Sequence, residues 1–177
     1  MIREIETKKI TEAIKNLCIE ANTVLPEDTL EALNEALGFE ESPQGREILR
    51  ELIKNAEIAM REKVSICQDT GFAVVFIELG QDVRIVGGDL HEAINEGVSR
   101  GYKEGYLRKS IVQDPFLRVN TQDNTPAIIH LDLIPGDRLK ITLMPKGGGC
   151  ENISGLKMFK PTAPIEEIKK FILEVVK

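Results

Sequence analysis

Three glycines spaced four residues apart, Gly97, Gly101 and Gly105, place the tightest constraint on how this chain folds. The same stretch carries Leu90, Ile94, Val98, Tyr102 and Tyr106, again four apart, on the adjacent row of a helix. A glycine inside a helix costs about 1 kcal/mol relative to alanine. Three on one ridge therefore need a compensating contact, and a bare ridge along the i±4 row lets another backbone come close. The sequence predicts a helix that opens after the Gly87-Gly88 turn, is capped by Asp89, and packs through its glycines against a second main chain.

The rest of the chain supplies candidate partners. Residues 1–63 read as helical. Ile10, Ile14, Leu17, Cys18 and Ala21 fall on one face, so Cys18 reads as a packed core thiol. Pro26 opens a second helix bearing Leu30, Leu33 and Leu37, with Gly38 as its expected left-handed cap. Ser42-Pro43 is an N-cap and first-turn pair before a third helix carrying Leu49, Leu52, Ile53, Ala56 and Met60. These helices form a packing layer with no catalytic work assigned.

Strand signals come later. Residues 72–79 are an apolar, β-rich run bounded by glycines, and 81–86 form a second short strand. Ile129, Leu131 and Leu133 alternate with polar residues, as do Leu139, Ile141 and Leu143, and Pro135-Gly136-Asp137 lies between them. That pattern predicts a hairpin. Pro164 begins a last helix whose apolar residues, Ile165, Ile168, Phe171, Ile172 and Val175, run to the final residues, so further chain or a partner is expected to cover them. The fold class expected is α+β, one domain over 1–177. An N-terminal helical layer (1–63) precedes a sheet-containing part (64–177), in which the Gly-ridged helix packs on a small mixed or antiparallel sheet.

Composition removes several functions. The net charge of −6 over 177 residues disfavours a general nucleic-acid surface, which needs clustered Lys and Arg. No apolar run approaches the roughly 20 residues needed to span a membrane. The acidic N-terminus lacks a signal peptide's apolar segment. Three widely spaced cysteines make no disulfide framework and suit a reducing cytoplasm.

Chemistry concentrates in a few segments. Cys67-Gln68-Asp69-Thr70-Gly71 packs a thiol, an amide, a carboxylate and a hydroxyl into one turn at the start of the apolar strand. Asp-Thr-Gly is also a common way to turn a chain, and free Cys is often a small core residue. Arg108-Lys109 is a cationic pair able to meet a carboxylate, or else an exposed helix end. Asn120 through Pro126 is a polar loop whose side chains are mostly expected in solvent. Lys146-Gly147-Gly148-Gly149 exposes unobstructed N–H groups suited to an anion, or forms a hinge; it lacks P-loop spacing. His91 and His130 read as surface residues. The rival for His130 is a base to a Cys67 nucleophile, as in a hydrolase or transferase.

Taken in order, Cys67–Gly71, Tyr106–Ser110, Asn120–Pro126 and Lys146–Gly149 resemble the α subunit, or N-terminal domain, of class I iron–sulfur fumarate hydratases and the related L(+)-tartrate dehydratases. The likeness runs from about residue 5 to the end. It implies a 4Fe-4S cluster held by three thiolates, with Cys67 matching the first metal ligand. Gln68, Asp69, Arg108, Gly147, Gly148 and Gly149 match substrate-binding positions. It further implies a β subunit that supplies the base (no catalytic residue being identified here), assembly as a dimer of αβ units, and reversible hydration of fumarate to malate. The alternative within the family is L(+)-tartrate. A non-catalytic dicarboxylate-binding or subunit-docking module is the alternative from another class. Cys150 stands where many relatives carry serine and is read as a pocket thiol. The family's other two cluster cysteines lie beyond the point matching Lys177, so the chain is expected to be a truncated α subunit, inactive alone.

Overall fold

The computed structural model describes residues 2–149 and 154–176. The chain divides into two compact units, Met1–Lys146 and Gly147–Lys177, and each is taken by itself.

The first unit begins with a strand, β1 (Arg3–Glu6), which corrects the expectation of helix throughout 1–63. Its partner is β3 (Val83–Val86), parallel and remote in sequence, with Ile5 opposite Ile85. A four-residue strand with a distant partner carries too little periodicity of its own to be seen locally. The three helices expected next are present as α1 (Thr7–Thr23), α2 (Glu27–Phe39) and α3 (Pro43–Glu62). The Ser42 hydroxyl accepts the Gly45 N–H at 3.3 Å, with Pro43 in the first turn. Gly38 does not cap α2. The helix runs through it to Phe39, and the following Glu40 is extended, with φ −66°. On α3 the buried residues are Ala56 and Ala59, whereas Leu52 and Met60 stay exposed.

The glycine ridge lies on α4 (Leu90–Glu104) and its cap Gly105, and the second main chain it meets belongs to α1. A Cβ at Gly97 would lie 2.7 Å from both the Thr11 carbonyl oxygen and the Ile14 Cβ. At Gly101 it would lie 2.7 Å from the Cys18 Cβ and 3.0 Å from the Lys15 carbonyl oxygen. The Thr11 hydroxyl donates to the Ala93 carbonyl at 3.0 Å, sealing the crossing. Lys15 and Arg100 pair with Glu12 and Glu104 along its exposed side. Asp89 caps α4, its carboxylate accepting the Glu92 N–H at 2.9 Å.

A three-stranded mixed sheet has the order β4-β2-β5, from β2 (Phe72–Gly80), β4 (Ile128–Ile134) and β5 (Leu139–Lys146). β2 runs parallel to β4 and antiparallel to β5. The expected hairpin is therefore corrected: β4 and β5 are present, but β2 lies between them. Alternation marks each strand and its buried face without naming its neighbour. The connection after β4 arches over the end of β2, where Gly80 N–H donates to Arg138 O at 2.7 Å and Asp82 N–H to Gly136 O at 2.9 Å. A side chain at Gly80 would collide with the Gly136 carbonyl.

The core joins these parts. Ile10, Ile14 and Cys18 of α1, Ala73, Val75 and Ile77 of β2, and Ile94, Val98 and Tyr102 of α4 form one buried cluster. The Gly-ridged helix thus shares the sheet's core, as expected, while its glycines face α1. In the second unit, α5 (Ile165–Val176) lays Val175 on Gly155 and Phe171 edge-on to Phe159, with ring centroids 5.9 Å apart. Ile165, Ile172, Leu173 and Val176 are exposed. Among the described residues no helix is long and apolar enough to cross a membrane.

Candidate active site

Between α3 and β2 the chain makes a turn fastened at several points. Lys63 closes α3 in the left-handed region, φ 54°. Ile66 is then fastened on both sides: its N–H donates to Asn22 O at 2.9 Å, and its carbonyl accepts the Asn55 amide at 2.9 Å. Cys67 and Gln68 follow as exposed residues. The Cys67 sulfur accepts the Asp69 N–H at 3.4 Å, and an Asp69 carboxylate oxygen accepts the Gly71 N–H at 3.1 Å. Gly71 adopts φ +62°, a left-handed conformation that glycine enters without the cost a Cβ would carry.

From Thr70 onward the turn is buried and tied to distant segments. The Thr70 hydroxyl donates to the Arg108 carbonyl at 3.0 Å. The Tyr102 hydroxyl donates to Thr70 O at 2.8 Å and lies 3.2 Å from Gly71 O. Burial pushes the Tyr102 phenol well above its ordinary range, with the nearby Cys18 adding in the same direction, so the hydroxyl remains a donor. Asn124, fully buried, donates its amide to Gly71 O at 3.1 Å and accepts the N–H groups of Ser110 at 2.7 Å and Ile111 at 3.2 Å. The Asn120 amide donates to Lys109 O at 3.0 Å.

The turn that carries Cys67, Gln68 and Asp69 is therefore tied through Thr70 to the backbone of Arg108, an exposed residue. Asp123, beside Asn124, is raised by partial burial but held below the usual carboxylate range by hydrogen bonds from the Thr125 N–H and hydroxyl. Gly147, Gly148 and Gly149 open the second unit; a Cβ at Gly148 or Gly149 would meet nothing within 4 Å. Cys150 lies outside the described residues.

His130 does not sit with Cys67. Its ring stacks on Phe76, centroids 4.9 Å apart and planes 13° from parallel, on the exposed sheet face. Phe76 is four residues into β2, roughly 13 Å along the strand from Phe72. His91 is exposed in the first turn of α4.

As for a metal group, Cys67 is an accessible sulfur receiving one backbone N–H, a setting suited to a cluster thiolate. Cys18 is buried, and desolvation pushes its thiol to about 12, which disqualifies it. Among the described residues no group of three or more His, Cys, Asp or Glu side chains could hold a metal. Of the two described cysteines only Cys67 could offer a thiolate to a metal group.

Sequence reasoning missed Thr70, Tyr102, Asn120 and Asn124 as organisers of this site. One signal was present: a tyrosine on a core-facing helix row must satisfy its hydroxyl inside. For Asn124 no local pattern separates a buried clamp from a solvated loop amide.

The sequence model of the family described as fumarate hydratase (fumerase) matches residues 11–177. A Methanocaldococcus jannaschii protein provisionally named L(+)-tartrate dehydratase subunit alpha is 38% identical over 174 residues, covering 95% of this chain and 61% of that protein. The Escherichia coli protein named fumarate hydratase class I, anaerobic, is 35% identical over 138 residues, covering 76% of this chain and 25% of that protein. An Escherichia coli L(+)-tartrate dehydratase subunit alpha is 28% identical over 170 residues, covering 94% and 55% respectively. The chain thus spans between 25% and 61% of the length of these curated relatives.

Proposed function

The chain belongs to the fumarate hydratase (fumerase) family, and on that premise we propose that it is the α-subunit part of an iron–sulfur hydro-lyase that reversibly hydrates fumarate to malate. The supporting observation is the Thr70–Arg108 tie, which holds an accessible thiol, an amide and a carboxylate beside a segment bearing a guanidinium.

In this reading Cys67 supplies one thiolate to a 4Fe-4S cluster, and the other ligands lie outside the described residues. Such a cluster, when bound, supplies an open Lewis-acid position for the substrate's hydroxyl and carboxylate. Arg108 grips a substrate carboxylate in its planar fork, whose fixed donors match the two oxygens. Gln68 offers an amide to the same dicarboxylate. Asp69, whose carboxylate accepts the Gly71 N–H, is a further contact to that dicarboxylate. Gly147, Gly148 and Gly149 are the remaining substrate-binding positions of this reading. The base for the substrate carbon comes from a β subunit, in a dimer of αβ units within the reducing cytoplasm.

Pairing the complete α subunit, with this chain as its N-terminal part, with the β subunit, iron and sulfide tests the reading. Fumarate and malate should interconvert, the isolated chain should show no turnover, and Cys67→Ser should remove the cluster's visible absorption. An intact absorption and full rate in Cys67→Ser would refute the assignment. Dicarboxylate binding without turnover in the complete assembly would favour the docking-module alternative.

A second substrate has a specific observation in its favour. The Methanocaldococcus jannaschii relative, named for L(+)-tartrate, matches more of this chain at higher identity than the fumarate hydratase does. Parallel kcat/KM values for malate and L(+)-tartrate decide between them.

A further inference from the structure

We propose that Asn124 is a positioning residue for this site: its buried amide, together with the Tyr102 hydroxyl, fixes where Arg108 stands relative to Cys67. This inference rests on the roles given above to Cys67 and Arg108 and deepens them.

Asn124 is 0% exposed, and both ends of its amide are occupied by backbone groups from two remote segments. One is the end of the Cys67 turn; the other starts two residues after Arg108. An asparagine that only turns a loop does so from the surface, bonding its own neighbours. Asn124 does neither, and it holds φ +61°, a conformation uncommon outside glycine.

The surrounding bonds converge on the same two segments. Gly71 O accepts the Asn124 amide at 3.1 Å and lies 3.2 Å from the Tyr102 hydroxyl, whose single proton it shares with Thr70 O. Thr70 O takes the shorter Tyr102 bond, and the Thr70 hydroxyl reaches Arg108 O. Between Arg108 and Ile111, every residue has a main-chain atom held: Arg108 O by Thr70, Lys109 O by Asn120, and the Ser110 and Ile111 N–H groups by Asn124. The Arg108 side chain is exposed, so its reach is governed by where that main chain is pinned. Supporting partners of this kind typically alter affinity or activity by about 10–100-fold when removed.

Two isosteric changes probe the clamp. Asn124→Asp keeps an oxygen for Ser110 and Ile111 but sets a second oxygen against Gly71 O. Tyr102→Phe deletes only the hydroxyl. In the assembled α–β enzyme with fumarate, Asn124→Asp should raise KM about tenfold or more, and Tyr102→Phe should raise it less because Gly71 O keeps one donor. In the full chain alone, amide hydrogen exchange at Asp69 and Gly71, the turn's own bonds, should quicken in both variants. A lowered Tm with unchanged KM and unchanged exchange at those two amides would mean a structural role only and would overturn the proposal. If Asn124→Asp fails to fold, Tyr102→Phe, which keeps the packed ring, decides by the same two readouts. Arg108→Lys run in parallel separates the levels. Should it leave KM unchanged, the substrate-site reading fails, while exchange at Asp69 and Gly71 still judges the clamp. Should it raise KM when the clamp variants do not, only the present inference fails.

Discussion

Cys18 and Cys67 differ in the property that governs thiol chemistry, access to water. Cys18 lies against Gly101 with no exposed surface, and desolvation moves its thiol from 9.0 to about 12. Because the folded value exceeds the unfolded one, this group's contribution to stability is complete below pH 9 and drains away as pH climbs from there toward 12. Thermal melts should accordingly show an extra alkaline loss above pH 9, reduced in Cys18→Ala. Iodoacetamide should label Cys67 in the native chain and reach Cys18 only after unfolding; native labelling of Cys18 would contradict its burial. The sequence distinguishes these two thiols well, since one sits on an apolar helix row and the other in a polar turn. It fails for Asn124. Burial of a loop amide is decided by segments 53 residues away, which no local pattern records.

At the scale of elements, the glycine ridge was legible because its cost is intrinsic: a helix row without side chains has few uses besides close backbone approach. Gly97→Ala weighs two opposed terms. Alanine gains about 1 kcal/mol of helix propensity, but overpacking a tight contact costs roughly 1–3 kcal/mol. The new Cβ would stand 2.7 Å from a carbonyl oxygen and a branched carbon of α1, neither of which can swing aside. Net destabilisation of up to about 2 kcal/mol is expected, with a lower Tm. A rise in Tm would show that α1 shifts freely. Strand partners, by contrast, were not legible. Alternation located β4 and β5, yet the Pro135–Asp137 turn serves an arch over β2 as readily as a tight hairpin.

Among the described residues of the whole molecule, the buried apolar cluster lies within Met1–Lys146. That unit should therefore fold cooperatively when expressed alone, with a single thermal transition and dispersed amide resonances. A broad, non-cooperative melt would show that the cluster depends on residues after Lys146. The family reading carried across the whole chain because several motifs occur in a fixed order.

The insertion of β2 between two later strands governs how this protein is made. When β2 leaves the ribosome, neither β4 nor β5 yet exists, so a strand rich in valine, isoleucine and phenylalanine waits with both hydrogen-bonding edges open. Stalled or shortened nascent chains ending before Ile128 should be the sticky species, sought out by chaperones and proteases, whereas chains completed through Lys146 escape that hazard.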